Sequence, residues 1–113
     1  MFEEKIYLMI PLFELYNLDS MEDAVFTSDS AEYLKDTENL QNRKKIYNNL
    51  RWAELFPGFQ FEQIMKDAPV VGKLKFSNDE VYQYLMAFKE FMENPEYELL
   101  TDDREPKSLE EMQ

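Results

Sequence analysis

The sequence predicts a mainly α-helical fold, a small domain of about four helices. Three observations point there. Only two glycines, Gly58 and Gly72, occur in 113 residues, too few for the tight turns of a sandwich or barrel. Hydrophobic residues make up 44% and aromatics 15%, enough apolar material for a real core. Several segments repeat their apolar residues at helical spacing. An α+β fold is the alternative, with short strands at Ala24–Thr27 or Leu74–Phe76.

The elements follow in chain order. In residues 2–17, Ile6, Met9, Ile10 and Phe13 fall at helical spacing, and Glu3 and Glu4 suit a helix N-terminus. Pro11 complicates a helix here, because a mid-helix proline removes a hydrogen bond and clashes with the preceding turn. Ile6, Leu8, Ile10 and Leu12 also alternate as a strand would; helix is the expectation. Ala24–Thr27 reads as a short strand, Asp29-Ser30 as a turn or cap, and Ala31 to Lys35 as a brief helical turn. Residues 38–56 form a helix capped by Thr37, with Leu40, Tyr47 and Leu50 near one face, supported by Ile46 and Ala53. Pro57-Gly58 ends it.

Phe61, Ile64, Met65 and Ala68 mark a short amphipathic helix that Pro69 stops. Residues 69–76 are loop or extended chain. Residues 77–94 carry the clearest helix. Ser77 and Glu80 form a capping box, and Val81, Leu85, Phe88 and Met92 line one face, widened by Tyr84 and Phe91. Asn94-Pro95 stops it. We expect one domain over residues 1–100 and an acidic, flexible C-terminal tail over 101–113.

The chemistry is narrow. The chain has no histidine and no cysteine. That removes the commonest general base, the thiolate nucleophile and the usual zinc ligands. Neither a Gly-x-Gly-x-x-Gly nor a Walker loop is present. Asp19, Glu22 and Asp23 lie close together but lack calcium-loop spacing and its glycine, so an exposed acidic turn is the better expectation. The expected protein is therefore not an enzyme. It has no catalytic residue, no metal and no cofactor.

Charge is the stronger signal. The net charge is -12, from 24 acidic and 12 basic residues. Residues 14–38 hold eight acidic residues against Lys35, and seven more follow from Glu96 against Arg104 and Lys107. Arg43, Lys44, Lys45 and Arg51 form a basic group on the central helix. Two arrangements stay open. The charges could be a solvated surface whose acidic segment pairs with the basic helix. Alternatively, residues 14–38 could form an acidic surface for a basic partner, with aromatic anchors inside it. For the second, the candidate partner-binding residues are Asp19, Glu22, Asp23, Phe26, Asp29, Glu32, Tyr33 and Asp36. So acidic a protein repels nucleic acid and anionic lipid. Its longest apolar run, Ile6 to Phe13, is too short to span a bilayer. The acidic start Met1-Phe2-Glu3-Glu4-Lys5 lacks the basic stretch of a secretion signal. A cytoplasmic location is expected.

One resemblance adds to this. Trp52-Ala53-Glu54-Leu55-Phe56, then Phe61-Glu62-Gln63-Ile64-Met65, then the Ser77-Asn78-Asp79-Glu80 opening of a helix that ends Phe88-Lys89-Glu90-Phe91-Met92-Glu93-Asn94-Pro95, resemble small acidic bacterial proteins encoded beside toxin genes. Some of these are immunity proteins of contact-dependent growth inhibition and related polymorphic-toxin systems. The likeness covers less than half the chain and fixes no contact residue. It implies an inhibitor that binds a cognate toxin, often a basic nuclease domain, by direct protein–protein contact. The alternative is a phage or plasmid protein that mimics nucleic acid and inhibits a DNA-binding enzyme.

Overall fold

A computed structural model describes residues 7–16, 18, 20, 22, 24–65 and 76–106. Among them are four α-helices and no strand: α1 (Met9–Leu15), α2 (Ser28–Thr37), α3 (Leu40–Leu55) and α4 (Asn78–Glu93). A 3-10 turn, Phe61–Met65, lies between α3 and α4. The mainly α fold expected from the sequence is the one observed. α4 packs chiefly on α3 and also touches α1 and the 3-10 turn.

Local chemistry explains where each helix begins. α1 starts at Met9, so Pro11 sits in its first turn. Backbone N–H groups there have no intrahelical acceptor, and the proline costs little. The fully buried stripe of this region is Leu8, Leu12 and Leu15, not the expected face of Met9, Ile10 and Phe13, which is only partly buried. Residues 1–6, including Glu3, Glu4 and Ile6, lie outside the described residues.

α2 corrects three expectations. Ala24–Thr27 forms no strand among the described residues, and the brief turn at Ala31–Lys35 is a ten-residue helix. Thr27 caps this helix: its hydroxyl accepts from Ser30 N at 3.3 Å, and Ser30 Oγ accepts from Thr27 N at 3.2 Å. Two first-turn donors are thereby satisfied, which lets a polar ten-residue segment hold a helix. Thr37 belongs to the end of α2, where its hydroxyl donates to Tyr33 O at 2.9 Å. Asn39, not Thr37, caps α3, its Oδ1 accepting from Asn42 N at 2.8 Å.

On α3 the buried stripe runs Arg43, Ile46, Leu50 and Ala53. The expected short helix near residue 61 is a 3-10 turn that buries Phe61, Ile64 and Met65; Ala68 and Pro69 lie outside the described residues. So do Leu74 and Lys75 of the second suggested strand, while Phe76 sits in a bend. α4 matches its expectation. The Ser77–Glu80 capping box is closed by bonds of 2.9 and 3.2 Å. Val81, Tyr84, Leu85, Phe88, Phe91 and Met92 are buried. Tyr84 Oη donates to Pro11 O at 2.8 Å, fastening α4 to α1.

The chain past α4 is fastened as well. Glu98 adopts a left-handed conformation (φ 53°), and Leu99 after it is fully buried. The guanidinium of Arg43, itself fully buried, donates to three carbonyl oxygens: Glu38 at 3.0 Å, Leu99 at 2.6 Å and Asp102 at 2.6 Å. A buried cation is tolerated only when its donors are satisfied, and here backbone dipoles satisfy them. Of the segment expected as a tail, Asp102 and Arg104 are thus held against the helices; residues 107–113 lie outside the described residues. Among the described residues no helix is long and apolar enough to cross a membrane.

Candidate functional site

α2 separates its side chains onto two sides, and the two sides differ. On one, Glu32 and Asp36 face the C-terminal segment. Arg104 meets Glu32 at 3.0 Å, Asp36 at 3.6 Å and Asp102 at 3.1 Å. Lys35, nearly buried, adds contacts to Glu32 at 3.1 Å and Asp102 at 3.5 Å. Hydrogen bonds from Lys35, then Arg104, hold the Glu32 carboxyl below its usual range. Bonds from the backbone and side chain of Arg104 pull Asp102 down to about 2. Five charged groups here serve one another in an internal clasp.

The other side opens on a groove of about 730 Å³ between α1, α2, α4 and the segment before α2. Ile10 and Phe13 of α1 line one wall; Asp29, Tyr33 and Thr37 of α2 line another. Its floor is aromatic. Phe26 stacks on Phe91 at 5.0 Å and meets Phe88 edge-on at 5.5 Å, with Tyr84 at 5.9 Å. Burial, helped by the nearby Glu14 charge, pushes the Tyr84 hydroxyl well above its ordinary value, so it stays a neutral donor. At the mouth, Val25 is 64% and Tyr33 59% exposed. Leaving two large apolar side chains in water around a concave apolar floor is unusual for a surface without a partner. Glu14, Asp29 and Glu38 lie along the groove, and among the described residues no lysine or arginine lines it.

The eight candidate residues therefore divide. Phe26, Asp29 and Tyr33 come together at the groove. Glu32 and Asp36 point to the clasp. Glu22 is exposed and does not line the groove, and Asp19 and Asp23 lie outside the described residues. Sequence reasoning missed Val25, Glu14 and Glu38 as groove residues, together with the floor from α4. The available signal was Val25 itself, a branched apolar residue inside an acidic stretch just ahead of a cap.

Two members of the basic group on α3 are engaged by other partners than the acidic side chains. Arg43 bonds to carbonyls, and Lys45 lies over the Tyr7 ring at 5.3 Å. Lys35 and Arg104 both form ion pairs with the 14–38 segment. A second apolar exposure lies at the end of α3, where Leu55 and Phe56 are exposed and Phe56 stacks on Trp52 at 5.1 Å. Among family models, curated proteins and solved structures, nothing matches this chain.

Proposed function

We propose that this protein is a binding module of the immunity type, which neutralises a cognate basic toxin domain by direct contact and not by catalysis. The observation that carries the reading is the groove: an aromatic floor, two exposed apolar side chains at its mouth, and carboxylates along its sides where, among the described residues, no lysine or arginine lies. Interfaces that bind tightly combine a buried aromatic centre with a polar rim. Acidic groups around that centre speed encounter with a basic partner and reject acidic ones. The net charge of -12 acts in the same direction at longer range. Such a protein works in the cytoplasm, where its target would otherwise act, and needs no cofactor.

The test is protection. Co-expressed with the product of an adjacent toxin gene, the protein should restore growth and co-purify with the toxin domain. If growth is not restored and no complex forms, the immunity function is wrong. Mimicry of nucleic acid is the second reading, supported by the acidity alone. It predicts that duplex DNA competes for the partner and that loss of the groove's apolar side chains has no effect.

A further inference from the structure

We infer that the groove between α1, α2 and α4 receives a cationic amphipathic segment of the partner protein, with large apolar side chains seated on the Phe26–Phe88–Phe91 floor and lysine or arginine side chains over Glu14, Asp29 and Glu38. This deepens the immunity reading and rests on it for the identity of the partner, though not for the chemistry of the segment.

Two independent features select this occupant. The first is shape and polarity. A volume of about 730 Å³ falls within the range of true ligand sites, roughly 300–1,000 Å³, and holds more than one large side chain. The floor is built from rings already packed on one another at 5.0 to 5.6 Å, so it is preformed and costs little ordering on binding. Seating apolar side chains there would also cover Val25 and Tyr33.

The second feature is charge. Glu14, Asp29 and Glu38 take part in none of the ion pairs among the described residues, whereas Glu32 and Asp36 on the same stretch are already engaged. A neutral apolar ligand would leave those carboxylates desolvated without compensation, which is costly. An acidic segment would be repelled. A polar cationic strand would satisfy them but leave the floor in water. Only a segment that is apolar on one face and cationic beside it answers both demands, the pattern read in helix-in-groove recognition.

The test uses defined peptides with the full-length protein. A fluorescein-labelled amphipathic peptide of leucine and lysine should bind, as read by anisotropy. A serine–lysine peptide of equal charge and a leucine–glutamate peptide of equal apolarity should bind at least about tenfold more weakly. Val25→Arg, which places a cation at the mouth, should weaken the leucine–lysine peptide by about tenfold; Tyr33→Ala should weaken it less; Gln83→Arg, an exposed α4 position away from the groove, should leave it unchanged. Thermal melts confirm that each variant is folded. Equal binding of the serine–lysine peptide would overturn the proposal in favour of charge alone. Equal binding of the leucine–glutamate peptide would overturn it in favour of a purely apolar ligand, and indifference to Val25→Arg would remove the groove from the interaction. Peptide binding without toxin protection would retain this inference and refute the immunity function; protection that survives Val25→Arg would do the reverse.

Discussion

The two sides of α2 carry the same kinds of residue and put them to opposite uses. Toward the C-terminal segment, Glu32 and Asp36 meet Arg104 and Lys35, and their charge is consumed within the fold. Toward α1 and α4, Asp29 and Tyr33 border an apolar groove that no cation lines among the described residues. Acidity alone does not mark an interface. What distinguishes the two sides, among the described residues, is whether a lysine or arginine supplies the opposite charge.

The largest expected effect releases the segment after α4, which Arg43 ties to α3. Arg43→Met removes a buried cation and leaves the Glu38, Leu99 and Asp102 carbonyls short of a donor. Unfolding in urea should show a loss of about 2–4 kcal/mol, given roughly 1–3 kcal/mol for each unsatisfied buried group and partial rescue by water. Tightened packing by the methionine stem recovers little, since the groups left behind are polar. A loss under about 0.5 kcal/mol would mean that the segment after α4 is not held by Arg43.

Next comes the contrast between the sides. Glu14→Gln with Asp29→Asn should slow association with a cationic partner several-fold at low salt, and the difference should shrink as salt rises. Glu32→Gln with Asp36→Asn removes the same formal charge and should slow it less. Equal slowing by both pairs would reduce the interaction to net charge. Smaller still is Tyr84→Phe, which deletes the hydrogen bond to Pro11 O; a loss of about 1 kcal/mol is expected in the same urea experiment.

Acid gives the finest distinction. Glu32 and Asp102 ionise below their ordinary values in the folded protein, held there by Lys35 and Arg104. A carboxylate with a depressed folded-state pKa stabilises above its unfolded value and loses that stabilisation as pH falls through the folded one. For Asp102 that window runs from 3.8 down to about 2. Amide resonances of residues 99–104 should therefore shift within it, ahead of those of the α4 core. Because the Glu32 carboxyl is exposed and that of Asp102 partly so, the effect on global stability should be small.

Much of this fold was legible in the sequence. The α4 capping box, its apolar stripe and its stop at Asn94 depend on contacts within a few residues, and each is found where local chemistry places it. α2 was harder. Its helix depends on a Thr27–Ser30 capping box, in which serine takes the place of the usual glutamate or glutamine, and its composition is mostly polar. α1 was misjudged in register because Leu8, Leu12 and Leu15 are selected by what α4 and the 3-10 turn present to them, a tertiary choice. The site was half legible. Phe26, Asp29 and Tyr33 were singled out by residue type within an acidic run. The separation of Glu32 and Asp36 from them needed the position of Arg104, 72 residues from Glu32 in sequence. The buried role of Arg43 was invisible for the same reason: its partners Leu99 and Asp102 lie 56 and 59 residues away.

The most direct measurement is a map of amide and methyl resonances of the full-length protein titrated with the leucine–lysine peptide. The account predicts the strongest changes at Val25, Phe26, Asp29 and Tyr33 and in the Phe88–Phe91 turn of α4, with Glu32, Asp36 and Arg104 little affected. Changes centred on Glu32, Asp36 and Arg104, or on Leu55 and Phe56 at the end of α3, would contradict it.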